Sequence, residues 1–174
     1  MDWPMSPQSQ PADDELRRLA EPLLGRAAAY AYSLLGNRED AEDALQEALL
    51  KAHRGLARYD RSRRFKAWWF AIVRNCCRDL QRSRSRRPPT IPVEAADMPA
   101  GDPSAWEESE RRERLRSAIG RLSPAHREII QLRYFGDCSY QDIATALAIP
   151  VGTVMSRLHA ARRTLAASCE REST

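Results

Sequence analysis

The stretch from Ser139 to Leu165, SYQDIATALAIPVGTVMSRLHAARRTL, constrains the fold more than any other part of the chain. Ser139 followed by Asp142 has the Ser-x-x-acid spacing of a capped helix start. Ile143, Ala146 and Leu147 then recur at helical spacing. Ala148-Ile149-Pro150 interrupts the pattern, because proline lacks an N–H and the residue before it avoids the helical region. A second helix is expected from about Val151, with Val154, Leu158, Ala161 and Leu165 forming one buried stripe. At about 100° per residue, Ser156, Ala160 and Arg163 fall opposite that stripe, with His159 beside them and Arg157 and Arg162 at the flanks. Two helices, a tight turn and a small, basic outer face match the helix-turn-helix that fills a DNA major groove. An ordinary helical hairpin with a solvated basic face is the alternative reading of this stretch.

The chain's 174 residues suffice for one medium domain or two small ones. No apolar run approaches the ~20 residues needed to span a bilayer. The amino terminus, MDWPMSPQSQPADD, has no basic segment followed by an apolar one, so no secretory signal is expected and a cytoplasmic location is. The net charge of +4 is unevenly spread. A basic run from Arg82 to Arg87 precedes an acidic stretch holding Glu94, Asp97, Asp102, Glu107, Glu108 and Glu110. Cys76, Cys77, Cys138 and Cys169 form no CxxC pair, so reduced structural thiols are expected, and no cofactor or metal. A zinc site drawing on His53 or His126 is the minor alternative.

Helical patterning starts near Asp13 and is renewed at Pro22, in a segment that Gly36 should end. Asn37 is placed to cap a third helix, whose first turns carry Glu39, Asp40, Glu42 and Asp43 at the positive end of the dipole. Ala41, Ala44, Leu45, Ala48, Leu49, Ala52 and Leu56 form its apolar face. Asp40, Asp43, Gln46, Glu47 and Lys51 are left outside, either solvated or facing a basic partner. An arginine-dense loop, Arg58 to Arg64, leads into a fourth helix from Phe65 to about Ser83. Its aromatic residues, set among Arg63, Arg64, Lys66, Arg74 and Arg78, suit a platform for unstacked bases. A tryptophan-rich core beside a solvated basic edge fits the same residues. From Arg87 to Asp102 prolines recur without apolar period, as in a linker. Ser123-Pro124 then opens a helix that Gly136 should close, ahead of the helix-turn-helix. With no strand pattern, phosphate loop or catalytic cluster in the sequence, the expected fold is all-α, two small helical domains on a flexible tether.

Three segments, LLGNREDAEDALQEALLKAHRGL, FKAWWFAIVRNCCRDLQR and LSPAHREIIQLRYFGDCSYQDIATALAIPVGTVMSRLHAARRTL, occur in that order. Together they resemble the extracytoplasmic-function group of bacterial sigma factors, over roughly residues 13–168. The resemblance implies a disordered amino terminus (1–12), a region 2-like domain (13–87), a linker (88–103), a region 4-like domain (104–168) and a tail (169–174). It implies a non-enzymatic initiation factor that binds core RNA polymerase through the β′ coiled coil and β flap. The first domain would open the −10 element and the second would read the −35 element as duplex.

Residue by residue, the resemblance places Asp43, Gln46 and Glu47 on the polymerase-facing helix. Arg63, Arg64, Phe65, Lys66, Trp68, Arg74 and Asn75 fall on the −10 segment. Ser156, Arg157, His159, Arg162 and Arg163 fall on the −35 reading helix and its phosphate contacts. The acidic linker resembles the segment that enters the polymerase cleft, and an anti-sigma protein is implied as a partner. Members of the group often carry basic residues where this chain has Met155 and Ala160, and glycine where it has Ala148. The rival readings are a stand-alone duplex-binding regulator and an adaptor that contacts only proteins.

Overall fold

A computed structural model of the chain describes residues 10–85 and 113–172. The described residues are helical throughout, joined by short turns, with no strand. The first group comprises α1 (Gln10–Ala20), α2 (Leu24–Leu35), α3 (Arg38–Gly55) and α4 (Phe65–Ser85). The second comprises α5 (113–120), α6 (Pro124–Tyr134), α7 (Tyr140–Leu147) and α8 (Val151–Glu172). The expected linker, with its acidic cleft-entering role, lies outside the described residues.

Local chemistry sets most boundaries. Gly36 ends α2 in the left-handed region at φ 79°, where a Cβ would be strained. Asn37 caps α3, its side chain accepting from the Asp40 N–H at 2.8 Å. Ser123 caps α6 ahead of Pro124. Other boundaries move from expectation. α1 begins at Gln10, so the described end of the supposedly disordered amino terminus is helical. Pro11 is tolerated there because first-turn N–H groups have no helical partner to lose. Pro22 sits in a 3-10 turn, Glu21–Leu23, and α2 proper starts at Leu24. α8 continues to Glu172, into the stretch expected to be a polar tail.

Gly136 does a different job from the one expected of it. α6 stops at Tyr134, and the left-handed residue in the following turn is Asp137, at φ 50°. A Cβ on Gly136 would lie 2.8 Å from the Phe70 ring and 2.9 Å from the Leu132 carbonyl. The residue is glycine because α4 and the α6–α7 turn meet there.

The two helical groups share one continuous core. Trp69, Phe70 and Val73 of α4 are fully buried with Tyr30 of α2, and Ile129, Leu132 and Ile143 belong to the same cluster. Tyr30 and Phe70 pack edge to face at 5.6 Å. The Gln131 amide on α6 donates to the Ser33 carbonyl on α2 at 2.6 Å. No single helix among the described residues is long and apolar enough to cross a membrane.

Candidate nucleic-acid interface

The helix-turn-helix is built by its caps. Ser139 Oγ accepts from the Asp142 N–H at 3.1 Å, and Asp142 accepts from the Ser139 N–H at 3.0 Å, a closed capping box. α7 ends in a Schellman turn. The Ala148 N–H reaches the Thr145 carbonyl at 3.3 Å and the Ile149 N–H reaches Ala144 at 3.0 Å. This turn holds Ala148 left-handed at φ 53°, ψ 46°. Pro150 immediately precedes α8, which is bent by 106° from α7, within the range of DNA-binding helix-turn-helices.

On α8, Val154, Leu158 and Ala161 are buried and Leu165 is half-buried, so the stripe read from the sequence faces the core. Ser156, His159 and Arg163 stand exposed on the opposite face, with Ala160 half-buried, and Met155 stands exposed at its edge. Arg157 is half-buried at the flank. Arg162 folds back instead of projecting freely. Its Nε donates to the Tyr134 hydroxyl at 2.9 Å and its guanidinium lies 5.8 Å over that ring. The Tyr134 and Tyr140 hydroxyls push its pKa further up. Tyr134 is exposed, and nothing in the local periodicity marks it as the partner of a residue two helices later.

The loop before α4 is ordered by its own side chains. Asp60 accepts from the Ser62 N–H at 2.9 Å and from its hydroxyl at 2.7 Å, which holds the Asp60 carboxyl below its ordinary range. The Tyr59 hydroxyl donates to the Arg63 carbonyl. Arg63 pairs with Asp60 at 3.3 Å and Arg61 with Glu15 of α1 at 2.9 Å. Phe65 and Trp68 pack on Tyr59, with ring centroids 5.7 and 4.8 Å away, and on one another at 5.5 Å. Phe65 and Trp68 are half-buried on a buried Tyr59, whereas Trp69 and Phe70 are entirely core. Asn75 is exposed beside a polar recess of about 460 Å³ lined by Lys51, Ile72, Arg78, Asp79 and Arg82. Lys51 and Asp79, which face one another at 3.5 Å, join this site only because α3 lies alongside α4.

On α3, Asp43, Gln46 and Glu47 are exposed on one face, and Leu50 extends it, 52% exposed. Asp40 is a correction: expected outside, it is 5% exposed. The Asn37 amide donates to it at 2.6 Å, and Arg84 from the end of α4 closes over it. Lys51 is also only half outside, pairing with Glu47 at 3.6 Å and with Asp79.

Several cations expected at the −10 strand face carboxylates of the second helical group. Arg74 Nε donates to Glu128 at 2.5 Å, with both side chains about one-fifth exposed (18% and 21%). Arg64 lies 3.6 Å from the buried Asp142 and 3.3 Å from the Ser139 hydroxyl. Lys66 lies 3.6 Å from the Asp137 carboxylate and also donates to the Asp137 carbonyl. Beneath them Cys77 and Cys138 are buried thiols, their pKa values pushed by burial up to about 12. Among the described residues no three His, Cys, Asp or Glu side chains converge as a metal site would require.

The chain is similar to known proteins along both helical groups. The Sigma-70 region 2 model matches residues 19–87 and the Sigma-70, region 4 model matches residues 112–165. The RNA polymerase sigma-H factor of Pseudomonas aeruginosa is 34% identical over 154 residues, covering 78% of this chain and 80% of that relative. The ECF RNA polymerase sigma factor SigL of Mycobacterium tuberculosis is 37% identical over 139 residues, covering 78% of each. With SigE of Mycolicibacterium smegmatis the identity is 33% over 162 residues and 90% of this chain, which spans 61% of that relative's length. Among solved structures, CnrH in complex with the cytosolic domain of CnrY matches with a TM-score of 0.70 and 26% identity, over 94% of this chain and 95% of that one. The sigma factor RpoE from Bartonella quintana, in complex with the anti-sigma factor NepR, matches at 0.68 and 25% identity, over 90% and 98%. A helix-turn-helix and an aromatic, cation-bearing helix, each within its own sigma-70 region, place the chain in the extracytoplasmic-function group of sigma factors, non-catalytic factors of transcription initiation.

Proposed function

We propose that this sigma factor reads a −35 element as duplex with the outer face of α8 and holds the unpaired −10 strand on α4 and its preceding loop. Asp43, Gln46 and Glu47 dock it on the β′ coiled coil of core polymerase, and the second domain meets the β flap. The observation that carries this reading is the division of labour between faces. Ser156, His159 and Arg163 project from a bent helix-turn-helix, while Asn75 projects from a different helix beside a polar recess. A duplex-only regulator has no use for the second face. An unpaired base gains about 1–3 kcal/mol by stacking on an aromatic ring, and Asn75 offers both a donor and an acceptor to a base edge. Polymerase performs the chemistry, and the factor supplies position and charge. Arg64, Lys66 and Arg74 are paired with Asp142, Asp137 and Glu128, so strand binding through them requires the two helical groups to part.

An anti-sigma protein is the proposed regulator, on the likeness to RpoE from Bartonella quintana, which was solved in complex with the anti-sigma factor NepR. A cleft of about 640 Å³ between α2, α5 and α6, walled by Leu34, Leu35, Ile119 and Phe135, is where such a partner would seat. Cytoplasmic action follows from the polymerase partnership.

The test of strand holding compares Lys66→Ala with Asn75→Ala, combined in one variant, against wild type on a promoter selected with core polymerase from a genomic library. Permanganate reactivity of unpaired thymines, at equal polymerase occupancy, is expected to fall. Loosening the Lys66–Asp137 contact would act in the opposite direction, so a fall reports lost strand contacts. Equal reactivity would return α4 to the role of a tryptophan-rich core helix.

A further inference from the structure

We infer that Met155 reads the C5-methyl group of a thymine in the upstream duplex, an inference that rests on α8 being the −35 reading helix. Five large apolar side chains of the described chain stand exposed, and Met155, at 54%, is the one on α8. It is the fifth residue of that helix, in the amino-terminal part that enters the groove in helix-turn-helix docking. Helical spacing sets it at the edge of the outer face, about 40° from His159 and about 60° from Gly152, on the flank it shares with Arg162. No fold requirement puts it there, because the core side of α8 is already filled.

The chemistry of the groove limits what such a side chain can recognise. Base edges in the major groove present hydrogen-bond donors, acceptors and one apolar group, the thymine methyl. A thioether is at best a weak acceptor, so Met155 cannot make the bidentate contacts that specify guanine or adenine. It carries no charge for a phosphate either. Its unbranched, polarisable chain adapts to an irregular apolar surface. Ser156 and His159 beside it supply the polar contacts, while Arg157 and Arg163 supply the charge. A thymine methyl is therefore the one feature of the groove that Met155 can bury against.

The test uses holoenzyme reconstituted with the full chain. The preferred upstream duplex is selected from a randomised library, and each thymine is then replaced in turn by deoxyuridine, which removes the methyl and keeps the pairing. At one thymine, wild type should lose about three- to fourfold in affinity, the worth of one buried methylene-sized group. Met155→Ala should bind the thymine and uracil duplexes alike, with its far-UV circular dichroism unchanged. Met155→Lys should bind all sequences more tightly, with a salt slope steeper by about one, and also without methyl preference. A selected element without thymine, deoxyuridine without effect at every position, or an equal loss in wild type and Met155→Ala would each overturn the inference and leave the −35 reading standing. Failure of the holoenzyme to select any upstream duplex would overturn that reading itself, and this inference with it.

Discussion

Two small residues show how single positions carry the turns on either side of α7. Ala148 is held at φ 53°, a region that costs an L-residue about 1–2 kcal/mol and glycine almost nothing. Part of any gain from glycine is lost to its greater freedom in the unfolded chain, about 0.4–1 kcal/mol. Ala148→Gly is therefore expected to raise the unfolding free energy by about 0.5–1 kcal/mol, read as a higher urea midpoint at unchanged m-value. Gly136→Ala should do the reverse, by about 1–3 kcal/mol, because its Cβ would press on the Phe70 ring and a backbone carbonyl. The thiols of Cys77 and Cys138 set a pH limit. Folding moves them from an ordinary 9.0 up to about 12, so the unfolded chain releases their protons first. Their contribution to stability is complete below about pH 9 and is lost as pH rises above it, by about 1.4 kcal/mol per unit for each thiol. Denaturant unfolding should show a loss of about 1.4 kcal/mol per thiol between pH 8 and 10, and Cys77→Ala with Cys138→Ala should flatten it. An equal slope in the double variant would mean that other groups set the alkaline limit.

At the level of elements, α3 and α8 use the same device, a narrow buried stripe with a chemically distinct outer face. On α3 the buried side is mostly alanine, which lets α2 and α4 approach closely and leaves Asp43, Gln46, Glu47 and Leu50 outside. Asp43→Arg with Glu47→Arg is expected to change stability by no more than about 0.5 kcal/mol per site. Affinity for core polymerase should fall about tenfold, near 1.4 kcal/mol, and more steeply at low salt. A pull-down titration with unchanged affinity would take the docking role away from this face. Helical periodicity located that face but misplaced Asp40. A wheel treats one helix at a time, and the Arg84 that covers Asp40 arrives from the far end of α4. The same blindness applies to Arg162, whose Tyr134 partner lies on α6.

Over the whole molecule, the two helical groups close on the face proposed to hold the −10 strand. Arg64, Lys66 and Arg74 pair with Asp142, Asp137 and Glu128, and Phe70 meets Gly136 beneath them. Partly exposed pairs are worth about 1 kcal/mol or less each, so Glu128→Lys should shift the balance towards separated domains about fivefold. Fluorescence transfer between dyes on α3 and α8 should fall in this variant. Binding to a single-stranded −10 oligonucleotide should strengthen, with the gain diminishing at high salt. Unchanged transfer would show that the apolar contacts alone hold the closure. The helical elements, the caps at Asn37, Ser123 and Ser139 and most of both outward faces were legible in the sequence, because capping and periodicity are local chemistry between residues a few positions apart. Packing between helices settled that Asp40 is buried, that Gly136 meets the Phe70 ring, and that the cations proposed to hold the strand are already paired. Each of these depends on side chains far apart in the chain meeting across helices, and no local spacing encodes which ones will meet.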